Sequence, residues 1–155
     1  MKLISKIGVF WTIAFFAFTM NAQENNPLHL TLNHIALSVK NVDESALFYN
    51  TVLGLQEITN KTKKEGIRWF SLGEGKELHL VSTVKEPFVL NKAIHIAFTT
   101  TDFDALIEHL HALKLDYNDW EGTSNKITTR ADGIKQIYIK DPNGYWIEIN
   151  SVGQN

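Results

Sequence analysis

The stretch NHIALS at residues 33–38 occurs a second time, in altered form, as IHIAFT at residues 94–99. A second match follows the same plan, because GKELHL at residues 75–80 corresponds to GYWIEI at residues 144–149. Internal repeats have to be settled before other features of a fold are interpreted. Two copies are too few for a solenoid, so the repeat predicts one domain built from two related halves.

Each of these four stretches contains one residue of a type that binds metals, and strand alternation predicts which way its side chain faces. Successive residues of a strand face opposite sides of a sheet, so His34, His79, His95 and Glu148 all face away from the apolar side that a helix should cover. Any one of them alone is most simply a solvated residue on the open face of a half-buried sheet. Four such residues at related positions favour a metal site instead.

The segments between the stretches predict the same order of elements in both halves. Asn41 or Asp43 caps a helix in the first half, Asp102 caps one in the second, and short strands bounded by turns follow each helix. Both helices should lie on one side, leaving a concave face of mixed sheet for a ligand. We predict an α+β fold of two βαβββ modules, with module 1 at residues 28–84 and module 2 at residues 93–151.

Length and charge narrow the function. The chain has 155 residues and a formal net charge of −2, which suits one domain, here residues 28–151 with a short tail at 152–155. Its basic residues are scattered and form no stripe, which argues against a nucleic-acid partner. A small-molecule substrate is the expected partner.

The N-terminal residues have the composition of a signal peptide. Two lysines precede an apolar run, and a small residue, Ala22, stands at a plausible cleavage point. The run is shorter than the roughly 20 residues that a membrane span needs, and the alternative is an N-terminal core helix. We predict a signal peptide at residues 1–22, a polar lead at 23–27, and an exported protein, periplasmic or secreted, with no membrane attachment after cleavage. The absence of cysteine suits an oxidising compartment.

Several motifs resemble one known superfamily. FYNTVLGL at residues 48–55, ELHL at 77–80 and DPNGYWIEI at 141–149 are similar to the vicinal oxygen chelate superfamily, which includes glyoxalase I, fosfomycin-resistance proteins, bleomycin-resistance proteins and extradiol dioxygenases. The resemblance covers residues 28–151. It is closest to glyoxalase I-like proteins, those related to lactoylglutathione lyase.

The resemblance implies a metal site. By position, the ligands would be His34, His79, His95 and Glu148, with Glu148 also serving as the catalytic base. Imidazoles with one carboxylate suit one divalent transition metal, Zn, Ni, Co, Mn or Fe. A second possibility follows from the fosfomycin-type transferases and extradiol dioxygenases, which use two histidines and one glutamate. In that case His79 would face the substrate.

The resemblance also implies an activity, a glyoxalase I-like lyase or isomerase in which the metal chelates neighbouring oxygens of a small substrate and stabilises an enediolate. Alternatives are an extradiol-type dioxygenase, a fosfomycin-type thiol transferase and a metal-free protein that sequesters a ligand. Export argues against a glutathione substrate. Many relatives pair two chains at the site, so we expect a homodimer, although a closed single-chain site is the other possibility.

Five further residues are candidates for substrate contact. Cations flanking the turn at residues 132–133 could clamp an anionic group, although exposed hairpin cations are the commoner explanation. Aromatic residues and one arginine could line the pocket, although packing explains most aromatics in a small core. These candidates are Arg68, Trp69, Trp120, Arg130 and Lys135.

Overall fold

The structure is a computed structural model that describes residues 28–86 and 88–152. By its internal contacts the chain divides into Met1–Thr31 and Leu32–Asn155, and the fold belongs to the second unit. The predicted signal peptide and polar lead lie outside the described residues and stay predictions. Within the part of the chain that is described, no helix is long and apolar enough to cross a membrane.

Module 1 is a four-stranded sheet with one helix. Its strands lie in the order β1-β4-β3-β2, with β1 and β4 parallel and the other neighbours antiparallel. The helix α1 follows β1 in the chain. The elements are β1 (His34–Val39), α1 (Val42–Thr51), β2 (Glu57–Ile58), β3 (Ile67–Gly73) and β4 (Lys76–Ser82).

Module 2 repeats this topology. Its strands lie in the order β5-β8-β7-β6, with β5 and β8 parallel and the rest antiparallel. The α+β prediction of two βαβββ modules is therefore confirmed, as two four-stranded mixed sheets. The elements are β5 (His95–Thr99), α2 (Phe103–Ala112), β6 (Thr128–Thr129), β7 (Lys135–Lys140) and β8 (Trp146–Asn150).

Both helices begin at side-chain caps. The Asn41 carboxamide oxygen accepts hydrogen bonds from the backbone N–H groups of Asp43 and Glu44, and a carboxylate oxygen of Asp102 accepts one from the N–H of Ala105. These bonds satisfy donors that the first helical turn leaves free. Asp43 and Glu44 also place negative charge at the positive end of the α1 dipole. The cap of α1 is thus Asn41, the first of the two predicted residues.

The apolar residues of both sheets contribute to one core. Apolar residues at alternate strand positions are buried together with one side of each helix, and the four predicted ligands lie at intervening positions. Phe70 in module 1 and Ile137 in module 2 are fully buried. The opposite side of each sheet is therefore the one on which a polar site can form.

Candidate metal centre

In module 1, two histidines lie on the polar side of adjacent parallel strands. His34 of β1 lies opposite Glu77 of β4, and His79 lies opposite Ala36, so the two histidines are offset by two positions and share a face. Their rings stack with centroids 4.4 Å apart and planes 15° from parallel. The strand pairing therefore brings these two predicted ligands into contact.

Module 2 builds a second pair in the same register. His95 of β5 lies opposite Trp146 of β8, and Glu148 lies opposite Ala97. The Nε2 atom of His95 is 3.4 Å from Oε2 of Glu148. Since the two parallel ladders have the same offset, the His34/His79 pair and the His95/Glu148 pair occupy equivalent places in the two modules.

The Glu148 carboxylate is held on both of its oxygens. Only 7% of this residue is exposed. The hydroxyl of Tyr138, its neighbour on β7, donates a hydrogen bond to Oε2 at 2.7 Å, and the Asn150 amide donates one to Oε1 at 2.9 Å. Burial, followed by the nearby Glu148 carboxylate, raises the pKa of the Tyr138 phenol. Tyr138 therefore keeps its proton and acts as a hydrogen-bond donor to Glu148.

The His95 ring is oriented by the backbone. Its Nδ1 atom is 3.0 Å from the carbonyl oxygen of Lys92. A carbonyl can only accept, so Nδ1 carries the hydrogen and the lone pair of neutral His95 is on Nε2, the nitrogen nearest Glu148. An N–H donated to a carbonyl is the usual arrangement behind a metal-binding histidine.

His34 is oriented in the same way. Its Nδ1 atom is 2.7 Å from the carboxamide oxygen of Asn33. This oxygen also only accepts, so the lone pair of neutral His34 is on Nε2. The adjacent asparagine thus does for His34 what the Lys92 carbonyl does for His95.

Glu77 is a site residue that sequence reasoning missed. Its Oε2 atom is 2.7 Å from Nε2 of His79, whose ring also stacks on Trp69 with centroids 4.1 Å apart and planes 7° from parallel. The signal was available, since a residue two positions before His79 on one strand faces the same side. The prediction of Glu148 as the catalytic base did not consider this second carboxylate.

A single chain brings the predicted ligands together in two pairs. Among residues 28–86 and 88–152, no group of three or more His, Cys, Asp or Glu residues comes together to hold a metal ion. The donor types, imidazole nitrogens and one carboxylate, fit a divalent transition metal. Within one chain, each pair supplies only two of the four predicted donors.

Trp120 and Tyr138 form an aromatic wall beside the His95/Glu148 pair. Trp120 is 45% exposed, and its ring centroid is 6.5 Å from that of His95 and 5.6 Å from that of Tyr138. The Lys92 ammonium donates hydrogen bonds to the carbonyls of Asp119 and Trp120 and lies 4.5 Å from the centroid of Trp146. Burial lowers the pKa of Lys92. These hydrogen bonds from Lys92 therefore hold the segment that contains Trp120 in position beside His95.

The five candidates for substrate contact separate into two groups. Trp69 stacks on His79 and Trp120 borders His95, so both adjoin the predicted ligands. The structure does not bring Arg68 and Lys135 to them, because each lies on the helix side of its sheet. Arg68 binds Asp43 and Glu57, and Lys135 binds Asp104.

Arg130, the fifth candidate, forms an ion pair with Asp132 at 2.6 Å. This is the exposed hairpin cation that the sequence offered as its commoner explanation. Arg130 also lowers the pKa of Tyr138, against the larger effect of burial.

This fold agrees with comparisons to known proteins. The model of the Glyoxalase/Bleomycin resistance protein/Dioxygenase superfamily matches residues 31–149. The chain is 30% identical to Glyoxylase I 4 of Arabidopsis thaliana over 139 residues, which are 84% of this chain and 76% of the plant protein. It is 29% identical to the metallothiol transferase FosB of Staphylococcus epidermidis over 124 residues, 77% of this chain and 82% of the transferase.

A solved structure supports the same fold. The crystal structure of a glyoxalase/dioxygenase from Nostoc punctiforme superposes with a TM-score of 0.63 at 22% identity, covering 93% of this chain and 98% of that one. The chain belongs to the Glyoxalase/Bleomycin resistance protein/Dioxygenase superfamily. Members of this superfamily are mostly enzymes that act on small molecules, and they generally use a divalent metal.

Proposed function

We propose that this protein is a metal-dependent lyase or isomerase of the glyoxalase I type, acting on a small substrate with neighbouring oxygens. One observation carries the proposal: His34/His79 and His95/Glu148 form two equivalent pairs in the same register of two parallel ladders. Packing alone gives no reason for residues of metal-binding types to stand at all four equivalent positions. The similarity to Glyoxylase I 4 agrees with this function.

The site would be completed by a second copy of the chain. Each module presents a pair, and no third donor joins either pair among the described residues. A homodimer that sets module 1 of one chain against module 2 of the other would unite His34, His79, His95 and Glu148. The two sites of such a dimer would be equivalent by symmetry.

The bound metal would polarise the substrate oxygens and stabilise negative charge that develops on them. Glu148 would move the proton between adjacent substrate carbons. Its carboxylate is buried and fixed by Tyr138 and Asn150, so it needs little reorganisation when it accepts a proton. Trp120 would cover the reacting atoms on one side and restrict water.

A second candidate function has an observation of its own. Because Glu77 binds Nε2 of His79, only Nδ1 of His79 could bind a metal, and without it the donors are His34, His95 and Glu148. Two histidines and one glutamate are the set that resemblance assigns to thiol transferases and extradiol dioxygenases, and the chain is also similar to the transferase FosB. This makes a thiol transferase or a dioxygenase the alternative.

Elemental analysis tests the metal. Protein purified without chelator or affinity metal should contain about one Zn, Ni, Co, Mn or Fe per chain. Iron would favour the dioxygenase, and nickel or zinc the lyase. His95→Ala should lose the metal, whereas His111→Ala, on α2, should keep it. A wild-type protein that takes up no metal on titration would contradict the proposal and point to a metal-free ligand-binding module.

Mixing two variants tests the shared site. One chain carries His34→Ala and His79→Ala, and the other carries His95→Ala and Glu148→Ala, so neither homodimer has a complete site. Random exchange of subunits should restore roughly a quarter of the wild-type metal content, because half of the dimers are mixed and each mixed dimer has one complete site. A site closed within one chain would give no restoration.

A further inference from the structure

Two lysines and a tryptophan lie next to the His95/Glu148 pair, on the same side of the module 2 sheet. His95 of β5, Trp146 of β8 and Lys140 of β7 stand directly opposite one another, so their side chains share a face. The Lys140 ammonium lies 4.2 Å from the centroid of the Trp146 ring, and the Lys92 ammonium lies 4.5 Å from it. Two positive charges therefore contact one aromatic ring beside a predicted metal ligand.

No carboxylate of the described residues balances these two charges by an ion pair. The Asp119 carboxylate is bound by the Lys126 ammonium at 2.8 Å. Lys92 donates instead to the backbone carbonyls of Asp119 and Trp120, which are neutral. An ammonium group has three donors, so Lys92 retains one N–H for a ligand.

The environment of Lys92 favours a bound anion. Lys92 is half-buried, and a cation that is partly removed from water without a counter-ion loses hydration. Burial lowers the pKa of Lys92 most, the Asp119 and Glu121 carboxylates oppose this effect, and the Lys140 ammonium lowers the pKa further. A negatively charged group between Lys92 and Lys140 would compensate for the lost hydration and reduce their repulsion.

There is room for such a group. A cleft of about 450 Å³ adjoins the row, and it is lined by Lys114, Leu115, Asp116, Asn118, Lys140 and Trp146. Neighbouring strands are about 4.8 Å apart, so the Cα atoms of His95 and Lys140 lie roughly 10 Å apart, and a lysine side chain spans much of that gap. A substrate of a few carbon atoms can therefore contact both ends of the row.

We propose that Lys92 and Lys140 form an anion subsite, which binds a carboxylate or phosphate group of the substrate while its neighbouring oxygens lie at the His95/Glu148 pair. This inference rests on the proposed function and narrows its substrate class to small anions with two neighbouring oxygens. Trp146 would lie beside the carbon chain that joins the two ends. The two lysines, rather than the cations flanking the turn at residues 132–133, then determine specificity for an anion.

Calorimetric titration with three matched compounds tests the subsite. Glycerol, D-glycerate and glycerol 3-phosphate share neighbouring oxygens but carry no charge, a carboxylate and a phosphate, respectively. At least one anion should bind the full chain about tenfold or more tightly than glycerol, because it gains charge-assisted hydrogen bonds. The more tightly bound anion identifies the group that the subsite prefers. Failure of both anions to bind more tightly than glycerol would overturn the proposal.

Substitutions locate the subsite. Lys140→Met removes the charge and should weaken binding of the preferred anion about tenfold, whereas Lys140→Arg should stay within about threefold of wild type. Lys61→Met, which removes an exposed lysine before β3, is the matched control and should bind like wild type. Adding Lys92→Met to Lys140→Met should leave the anion binding no more tightly than glycerol. Equal anion affinities of Lys140→Met and Lys61→Met would overturn the assignment.

The controls separate this inference from the proposed function. Circular dichroism and thermal unfolding identify any variant that fails to fold, and Lys140→Arg supplies a conservative replacement. The titrations use the chain as purified and after treatment with a chelator. If wild type takes up metal but does not prefer the anions, only the subsite is overturned. If the anions bind as expected and no metal is taken up on titration, the subsite stands and the proposed function fails.

Discussion

The phenol of Tyr49, on α1 of module 1, donates a hydrogen bond to Oδ2 of Asp141, in the turn before β8 of module 2, at 3.2 Å. Both residues are buried. Burial is the main cause of a raised pKa at Asp141, and the backbone N–H groups of Asn143 and Tyr145 oppose it by donating to the carboxylate. The turn DPNG therefore does more than reverse the chain, because its aspartate joins the two modules.

Removing the Tyr49 hydroxyl should weaken this junction. Tyr49→Phe leaves Oδ2 of Asp141 with only the 3.5 Å contact from the Asn143 amide, which should cost about 1–3 kcal/mol in free energy of unfolding. Urea denaturation of Tyr49→Phe, Asp141→Asn and the double variant measures the coupling between the two residues. Additive effects of the two substitutions would show that the contact contributes nothing to stability. The metal affinity of Tyr49→Phe should stay that of wild type.

The ion pair between Asp119 and Lys126 should make stability depend on pH in the acid range. Asp119 is buried and lies 2.8 Å from the Lys126 ammonium, which is the largest cause that lowers the pKa of Asp119 to about 2. A carboxyl whose pKa is lower in the folded chain contributes stability above its unfolded pKa, about 3.9, and loses it as pH falls through the folded pKa. The stability gained from this pair should therefore be complete near neutral pH and disappear near pH 2.

Lys126→Met measures this contribution. The variant should be less stable than wild type at neutral pH, and the difference should shrink steadily as the pH is lowered below about 4. Lys61→Met, which removes an exposed lysine before β3, is the matched control and should show no such trend. Urea midpoints measured from pH 7 to pH 2 provide the comparison. A difference that does not vary with pH would contradict the assignment.

Lys92 should keep the segment of the aromatic wall that contains Trp120 in a fixed conformation. Lys92→Met keeps the length of the side chain but removes the donor to the carbonyls of Asp119 and Trp120. We expect amide hydrogen exchange to become at least about tenfold faster around residues 119–122, since local opening becomes easier. Lys140→Met is the control, because Lys140 lies 4.2 Å from the centroid of Trp146 without holding that segment. Equal exchange in both variants would argue against the role of Lys92.

Export remains a proposal that the N-terminal sequence supports. We expect the chain, expressed with its first 22 residues in a Gram-negative host, to be recovered from the periplasm or medium with Gln23 as its first residue. Intact mass and N-terminal sequencing of the secreted fraction check this. Ala22→Arg should block cleavage and leave the longer chain in the cells. Recovery of the full-length wild-type chain in the cytosol would contradict the proposal.

Sequence reasoning placed the paired residues well because their signal is local. The two-residue period of a strand and the internal repeat are enough to put His34 and His79 on one face, and the registers of both ladders agree with it. The same period shows why the substrate candidates do not all lie on the side of the pairs. Arg68 and Trp69 are adjacent on β3, so only one can face the site, and the choice depends on the pairing with β4.

Local sequence patterns do not predict contacts between distant parts of the chain. The bond from Tyr138 to Glu148 requires the β7 and β8 register, and the reach of the Lys92 ammonium to the Trp120 carbonyl requires a loop conformation that composition does not encode. Glu77 is different, because its place beside His79 follows from alternation alone. The repeat does not mark Glu77, because the corresponding residue of module 2 is Trp146.

The division of the ligands into two pairs has a thermodynamic consequence. If a complete set of donors exists only between two chains, then metal binding and subunit association stabilise each other, and each shifts the apparent equilibrium constant of the other. Metal affinity should then fall on dilution, as dimers separate into monomers that offer only two donors at each pair. A single chain at low concentration would therefore hold no metal. The fraction of sites with bound metal would rise with the local concentration of the protein.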